Sequence, residues 1–204
     1  MDDWMICVPT EQLDKAADLF RAEKERYEPF MPSIMTRPHD MSQIYPRFKF
    51  KGIALFFYLL PSKACHIVCE PQNIERSDNG IPYPQLHVFA QSLLDTGNFL
   101  DLEDLIDAMN LTPEWGEQNL HLDGKIDEDW LLWRKSALQG QDPDLLPLYS
   151  PNLKRLPKRR EEWMKKASAE AKKARQGYKY REGMATRWRR EGSKDPRIWT
   201  RKFC

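Results

Sequence analysis

The sequence predicts an α+β fold, and three observations predict it. A short apolar strand-like segment runs directly into an amphipathic helix. Three more strand-like segments follow in close succession. From residue 86 onward only helical periodicity is found. The expected architecture is a small mixed or antiparallel sheet of about four strands covered by helices, with a basic helical and irregular C-terminal extension.

The elements follow in order. Trp4–Val8 reads as a short strand, ended by Pro9, and Thr10 stands where it can cap the next helix. In the segment from Glu11 to Tyr27, Leu13, Ala17 and Phe20 fall at i, i+4 and i+7, the stripe of a helix resting on a sheet. Pro29, Pro32, Pro38 and Pro46 mark an irregular connection. Arg47–Lys51 alternates, with Phe48 and Phe50 on one face and Arg47, Lys49 and Lys51 on the other, as a half-exposed strand does. Ile53–Leu60 is an unbroken apolar run suited to a central strand, and Cys65–Glu70 reads as the third strand of a meander.

Beyond a loop containing Asn79-Gly80, Leu86, Phe89, Ala90, Leu93 and Leu94 form a helical stripe, with Gly97 just past the helix end. Asp101 is expected to cap a second helix bearing Leu102, Leu105, Ile106 and Met109, and Thr112-Pro113 to start a third. Asp127–Leu138 is a further helix, with Trp130 and Trp133. Residues 158–176 form a basic helix with Trp163, Ala167, Ala171 and Ala174 on one side. The expected organisation is an acidic α+β domain over 1–141, a Pro-rich linker over 142–157, and a basic helix and tail over 158–204.

Composition excludes some classes. The longest apolar run, Ile53–Leu60, falls far short of the roughly 20 residues that span a bilayer, so no membrane helix is expected. The acidic start does not read as a secretory signal. Cysteines are sparse (Cys7, Cys65, Cys69 and Cys204), which points to buried reduced thiols and an intracellular setting, cytoplasmic or nuclear. Cys65-His66-x-x-Cys69 invites a metal reading. On a strand, however, its two cysteines would lie about 13 Å apart, too far to share a zinc ion. His39, His66, His87 and His121 are scattered, with no nucleophile elbow beside them.

The charge is split by position. Residues 154–204 hold 19 Lys/Arg against 6 Asp/Glu, while residues 1–153 hold 13 against 25. The basic cluster Lys154, Arg155, Lys158, Arg159 and Arg160 resembles a nuclear-import signal. Beyond it Tyr178, Tyr180, Trp188 and Trp199 alternate with Arg187, Arg189, Arg190 and other arginines. Arginines neutralise phosphates and aromatic rings stack on unpaired bases, so residues 154–204 are expected to meet RNA, DNA or an acidic protein. The competing expectation is that the tail docks on the chain's own acidic body. The acidic set Asp95, Asp101, Glu103, Asp104 and Asp107 is expected to be a solvated helix face and cap.

Two segments together carry a family resemblance. DDWMICVPTEQLDKAADLF, with Asp2 and Asp3 before a strand that runs into Val8-Pro9, resembles the nucleotidyltransferase-like fold of AbiEii-type toxins and related fungal proteins. PQLHVFAQSLLDTGNFLDLEDLIDAM resembles the later helix pair of such proteins. The resemblance covers roughly residues 1–110. It implies metal-binding acids at Asp2 and Asp3, yet these are adjacent rather than spaced by one residue. The family's Gly-Ser strand and its third acid have no counterpart.

The expected protein is therefore a non-catalytic nucleotidyltransferase-like domain with no cofactor, whose basic extension binds nucleic acid or an acidic partner. One alternative is a Mg²⁺-dependent nucleotidyltransferase using Asp2 or Asp3. Another is an adaptor that docks a partner helix through Trp163.

Overall fold

A computed structural model of the chain describes residues 4–31, 44–53, 55–77, 79–138 and 156–175. The chain divides into two compact units, each built from two stretches of sequence: residues 1–74 with 128–154, and residues 75–127 with 155–204.

The first unit is organised by the apolar run at residues 56–61. β4 (Phe56–Pro61) is central, paired in parallel with β1 (Trp4–Val8) and antiparallel with β3 (Arg47–Phe50). β2 (Tyr27–Pro29) pairs antiparallel with β3, giving a mixed four-stranded sheet in the order β1-β4-β3-β2. The register puts Ile6, Tyr27, Phe48, Phe50, Phe57 and Leu59 on one face, because paired residues point the same way. α1 (Leu13–Ala22) covers that face with Leu13, Ala16, Ala17 and Phe20. Its core is aromatic. Phe20 meets Tyr27 edge-on at 5.0 Å and lies 4.9 Å from Phe57, while Tyr27 lies 4.9 Å from Phe50. Each such pair adds about 0.5–1.5 kcal/mol beyond area burial.

This mixed α+β architecture is the one the sequence predicts, but its fourth strand comes from elsewhere. Cys65–Glu70 is not a strand. Ser62–Cys65 forms a single helical turn, α2, that ends with His66 at φ 52°, and the chain then runs on without a ladder partner. Thr10 explains the turn. Its hydroxyl accepts from Lys63 N–H (3.1 Å) and shares a hydrogen bond with Ser62 Oγ (3.0 Å), so it fixes α2 instead of capping α1.

The missing strand is β2, which starts at Tyr27, the end of the expected helix, and runs to Pro29 in the expected irregular connection. Glu23–Arg26 has no apolar residue to continue the α1 stripe. The helix therefore stops at Ala22, and Tyr27 joins the aromatic cluster. Residues 51–53 form a turn with Gly52 at φ 81°, leaving Ile53 exposed. On the opposite face Arg47 is buried, its guanidinium 5.4 Å from the Tyr58 ring, whereas the alternation predicts an exposed position.

α6 (Glu128–Leu138) also belongs to this unit and buries Trp130, Leu131 and Leu138. The Trp130 indole N–H donates to the Lys63 carbonyl (2.7 Å), and Lys63 Nζ lies 4.8 Å over the Trp133 ring. Ile74–Arg76 and Pro82–Pro84 form a two-stranded ribbon, β5 and β6.

The second unit is helical. α3 (Leu86–Asp95), α4 (Phe99–Met109) and α5 (Pro113–Asn119) are followed, after residues 120–127, by α7 (Arg159–Ala167) and α8 (Ala169–Arg175). Its core holds Ala90, Leu93, Leu94, Leu102, Leu105, Ile106, Leu111 and Leu122, together with Trp163 and Ala167 of α7. The stripes at 86–94 and 102–109 thus face inward as their spacing predicts. Thr112 caps α5 as expected, accepting from Trp115 N–H (3.2 Å), and Gly97 follows α3 at φ 65°. Asn98, not Asp101, occupies the α4 N-cap, and its amide donates to Asp101 Oδ2 (2.7 Å).

Candidate functional site

The basic segment 158–175 is positioned by a short pairing of backbone. Arg159 N–H donates to the Gly124 carbonyl and Ile126 N–H to the Pro157 carbonyl, both at 3.1 Å, so the chain enters α7 alongside residues 124–126. Trp163 then seats α7. It is fully buried, its indole N–H donates to the Pro113 carbonyl (3.3 Å), and its ring lies 5.7 Å from Trp115. A Cβ at Gly116 would stand only 1.9 Å from Trp163 Nε1, so glycine there is what admits the ring.

The helix breaks at Ser168, whose backbone is extended and whose Oγ accepts from Ala171 N–H (3.1 Å) to start α8. The single basic helix expected over 158–176 is therefore two. Ala171 is half-buried and Ala174 exposed, so of the four residues expected on the inward side only Trp163 and Ala167 are fully buried.

The cations of α7 and α8 reach the acids of α3 to α5. Arg159 Nε donates to Asp95 Oδ1, and its Nη1 to the Asp123 carbonyl (2.9 Å). Arg160 bridges Glu117 and Asp123, which hold its guanidinium above the ordinary arginine value, Glu117 contributing most. Lys166 is buried, pairs with Glu103 (2.7 Å) and Glu162 (3.6 Å), and lies 4.6 Å over the Phe99 ring.

Arg175 grips Asp107 with two hydrogen bonds, 2.8 and 2.9 Å, and donates a third to the Lys166 carbonyl. Asp107 is fully buried, and this pairing raises the Arg175 guanidinium above its ordinary value. Lys172 donates to Asn110 Oδ1 (3.1 Å). Burial lowers its ammonium pKa, an effect that nearby Asp107 opposes.

These placements revise the acidic set. Asp95, Asp104 and Asp107 are buried, not solvated, and Asp95, Glu103 and Asp107 are the acceptors for the basic helices. Trp163, expected to anchor an adaptor surface, belongs to the core and is closed to a partner helix. The signal that could have shown this was complementarity. Acids at 95, 103 and 107 pair with bases at 159, 166 and 175 in the same order along the chain.

Among the residues expected to bind nucleic acid or a partner, the structure separates two groups. Arg159 is engaged in partly buried pairing, whereas Lys158 is mostly exposed and among the described residues pairs only with Glu161 (2.6 Å), and Arg160 is about half exposed. Lys165 and Lys173 are exposed and form no ion pair among the described residues. Tyr178, Tyr180, Arg187, Trp188, Arg189, Arg190 and Trp199 lie outside the described residues, as do Asp2 and Asp3. So does most of the expected 142–157 linker.

In the first unit, Cys7 meets two thiols from which the sequence keeps it far apart. Cys7 Sγ lies 3.7 Å from Cys69 Sγ, and Cys65 is within hydrogen-bonding reach of Cys7. The 13 Å separation expected of Cys65 and Cys69 assumes a strand that does not form. Among the described residues no group of three or more His, Cys, Asp or Glu side chains is arranged to hold a metal ion, and no helix is long and apolar enough to cross a membrane.

Comparison of the chain with protein-family models, curated proteins and solved structures finds no match in any of the three.

Proposed function

We propose that this chain is a binding protein that engages single-stranded nucleic acid through its C-terminal basic and aromatic residues, with the α7–α8 pair as the rigid mount. The observation that carries the reading is the division of the basic segment. Arg159, Lys166 and Arg175 are held by the acids of their own unit. Pulling Arg175 from Asp107 would leave a fully buried carboxylate uncompensated, at a cost of about 3–5 kcal/mol, more than a phosphate contact returns. These cations are therefore structural.

The binding charge falls to residues 176–204, which carry 9 Lys/Arg against 3 Asp/Glu with Tyr178, Tyr180, Trp188 and Trp199 among them, and to exposed Lys158 and Arg160. Interleaved arginines and aromatic rings suit an unpaired strand, where each ring offers a stacking platform worth about 1–3 kcal/mol per base. The nucleotidyltransferase resemblance of residues 1–110 is compatible with such a ligand. The transferase alternative rests on Asp2 and Asp3 alone.

The test is a salt series of single-stranded RNA and DNA binding by the full chain. Log affinity should fall linearly with log salt, by about 0.7 per phosphate neutralised. Replacing Arg187, Arg189 and Arg190 together by Gln should flatten that slope by about 2 and weaken binding to every sequence alike. Trp188→Ala should cost about 1–3 kcal/mol with the slope unchanged. Absence of binding at low salt, or binding indifferent to all four changes, would reject the reading and leave an acidic protein as the partner to seek.

A further inference from the structure

We propose that Cys7 and Cys69 are a disulfide-forming pair that staples the edge strand β1 to the segment after α2. Their sulfurs stand 3.7 Å apart across 62 residues of sequence, about 1.7 Å more than the roughly 2.05 Å of a disulfide. The place is one where a staple has work to do. β1 is the last strand on its side of the sheet, bonded only to β4, with Trp4 and Met5 more than half exposed. Nothing else in the described chain ties Cys69 covalently to the sheet, since Cys7, Cys65 and Cys69 are all free thiols.

Cys65 is the competing partner, since it ends the α2 turn and also hydrogen-bonds the Cys7 thiol. Cys69 is assigned because it sits at the centre of the tight turn closed by Glu70 N–H and the Val68 carbonyl (2.9 Å), with its sulfur 3.7 Å from Cys7 Sγ. The site is also suited to a lasting bond more than to rapid exchange. Burial, with the Cys7 thiol beside it, pushes Cys69 up to about 12, and the Cys7 thiol is pushed up by its Cys65 hydrogen bond and by burial. A thiol held protonated is a poor leaving group, so the bond resists reduction once made.

The chemistry balances with a low-molecular-weight disulfide as oxidant. The Cys69 thiolate attacks one sulfur of the oxidant and expels the other half as a thiol. The Cys7 thiolate then attacks Cys69 Sγ in the mixed disulfide and expels the second half. Two protein thiols have lost two protons and two electrons, and one small disulfide has become two thiols.

The experiment holds the full chain with excess glutathione disulfide at about pH 10, where the raised Cys69 thiol forms enough thiolate to attack, then blocks the remaining thiols by alkylation, digests the chain with trypsin without reduction, and maps the linked peptides. The expected product joins residues 1–15 to residues 64–76, with fragment ions placing the bond at Cys69. The oxidised chain should melt on the order of 10 °C above the reduced one, the loop closed being some sixty residues. Cys65→Ser should keep the link and Cys69→Ser should lose it. A bond mapped to Cys65 in the unaltered chain would overturn the assignment. So would glutathione adducts or free thiols at Cys7 and Cys69 with unchanged melting, or links found only between separate chains.

Discussion

Cys69 shows how far a side chain's chemistry departs from what its letter suggests. Burial and the neighbouring Cys7 thiol raise it from an ordinary value of 9.0 to about 12. At pH 8 its thiolate is then about a thousandfold scarcer than that of an unperturbed cysteine, and only the thiolate alkylates. Iodoacetamide should therefore label Cys69 of the reduced chain very slowly, by mass spectrometry of the 64–76 peptide. The rate should climb about tenfold for each pH unit up to pH 11. Cys7→Ser should speed labelling only in part, because burial, the larger cause, remains. Labelling at the rate of a free peptide cysteine would contradict the packing of this corner. At the same scale Gly116 and Trp163 form one unit of fit, the first being small so that the second can be large.

The helices of the second unit were largely legible because their determinants are local. The 86–94 and 102–109 stripes, Gly97 and the Thr112-Pro113 start are each a statement about neighbours three or four residues apart. The Thr112 cap can be weighed directly. Thr112→Ala should destabilise the unit by about 1 kcal/mol in denaturant titration, whereas Thr112→Ser, which keeps the capping hydroxyl, should be close to neutral. A loss below that for Ala would mean that water replaces the hydroxyl without penalty.

Strand assignments fared worse, because a strand is completed by a partner that may lie anywhere in the chain. Cys65–Glu70 has strand composition, yet Thr10, more than fifty residues upstream, bonds Ser62 and Lys63 and fixes a helical turn there. Tyr27–Pro29 has little strand signal of its own and is drawn into the sheet by Phe20, Phe50 and Phe57. The thiol cluster was illegible for the same reason, since Cys7 and Cys69 meet only after β1 and β4 have paired. Of the candidate interface, sequence charge located the basic segment. Which of its cations are already taken depends on acids that only folding brings beside them.

At the scale of the molecule, two units built from interrupted sequence predict that damage stays local. Trp163→Ala removes the largest fully buried side chain of the second unit and should cost that unit about 3–5 kcal/mol. Native-state hydrogen exchange should show protection falling together across residues 86–119 and 159–175. The amides of β1, β3 and β4 should keep theirs. Equal loss in the sheet would show that the two units unfold as one. The interleaving also matters while the chain is being made. The first unit needs α6, so Lys63 must wait for Trp130, and the ribosome has to deliver all of residues 75–127 in between. At about 5–20 residues per second that is a delay of several seconds during which the aromatic sheet stands without its last helix. The second unit waits longer still, its central tryptophan arriving only with residue 163. A nascent chain of this design exposes unfinished apolar surface for most of its synthesis, and its dependence on chaperones should be greatest before the basic helices emerge.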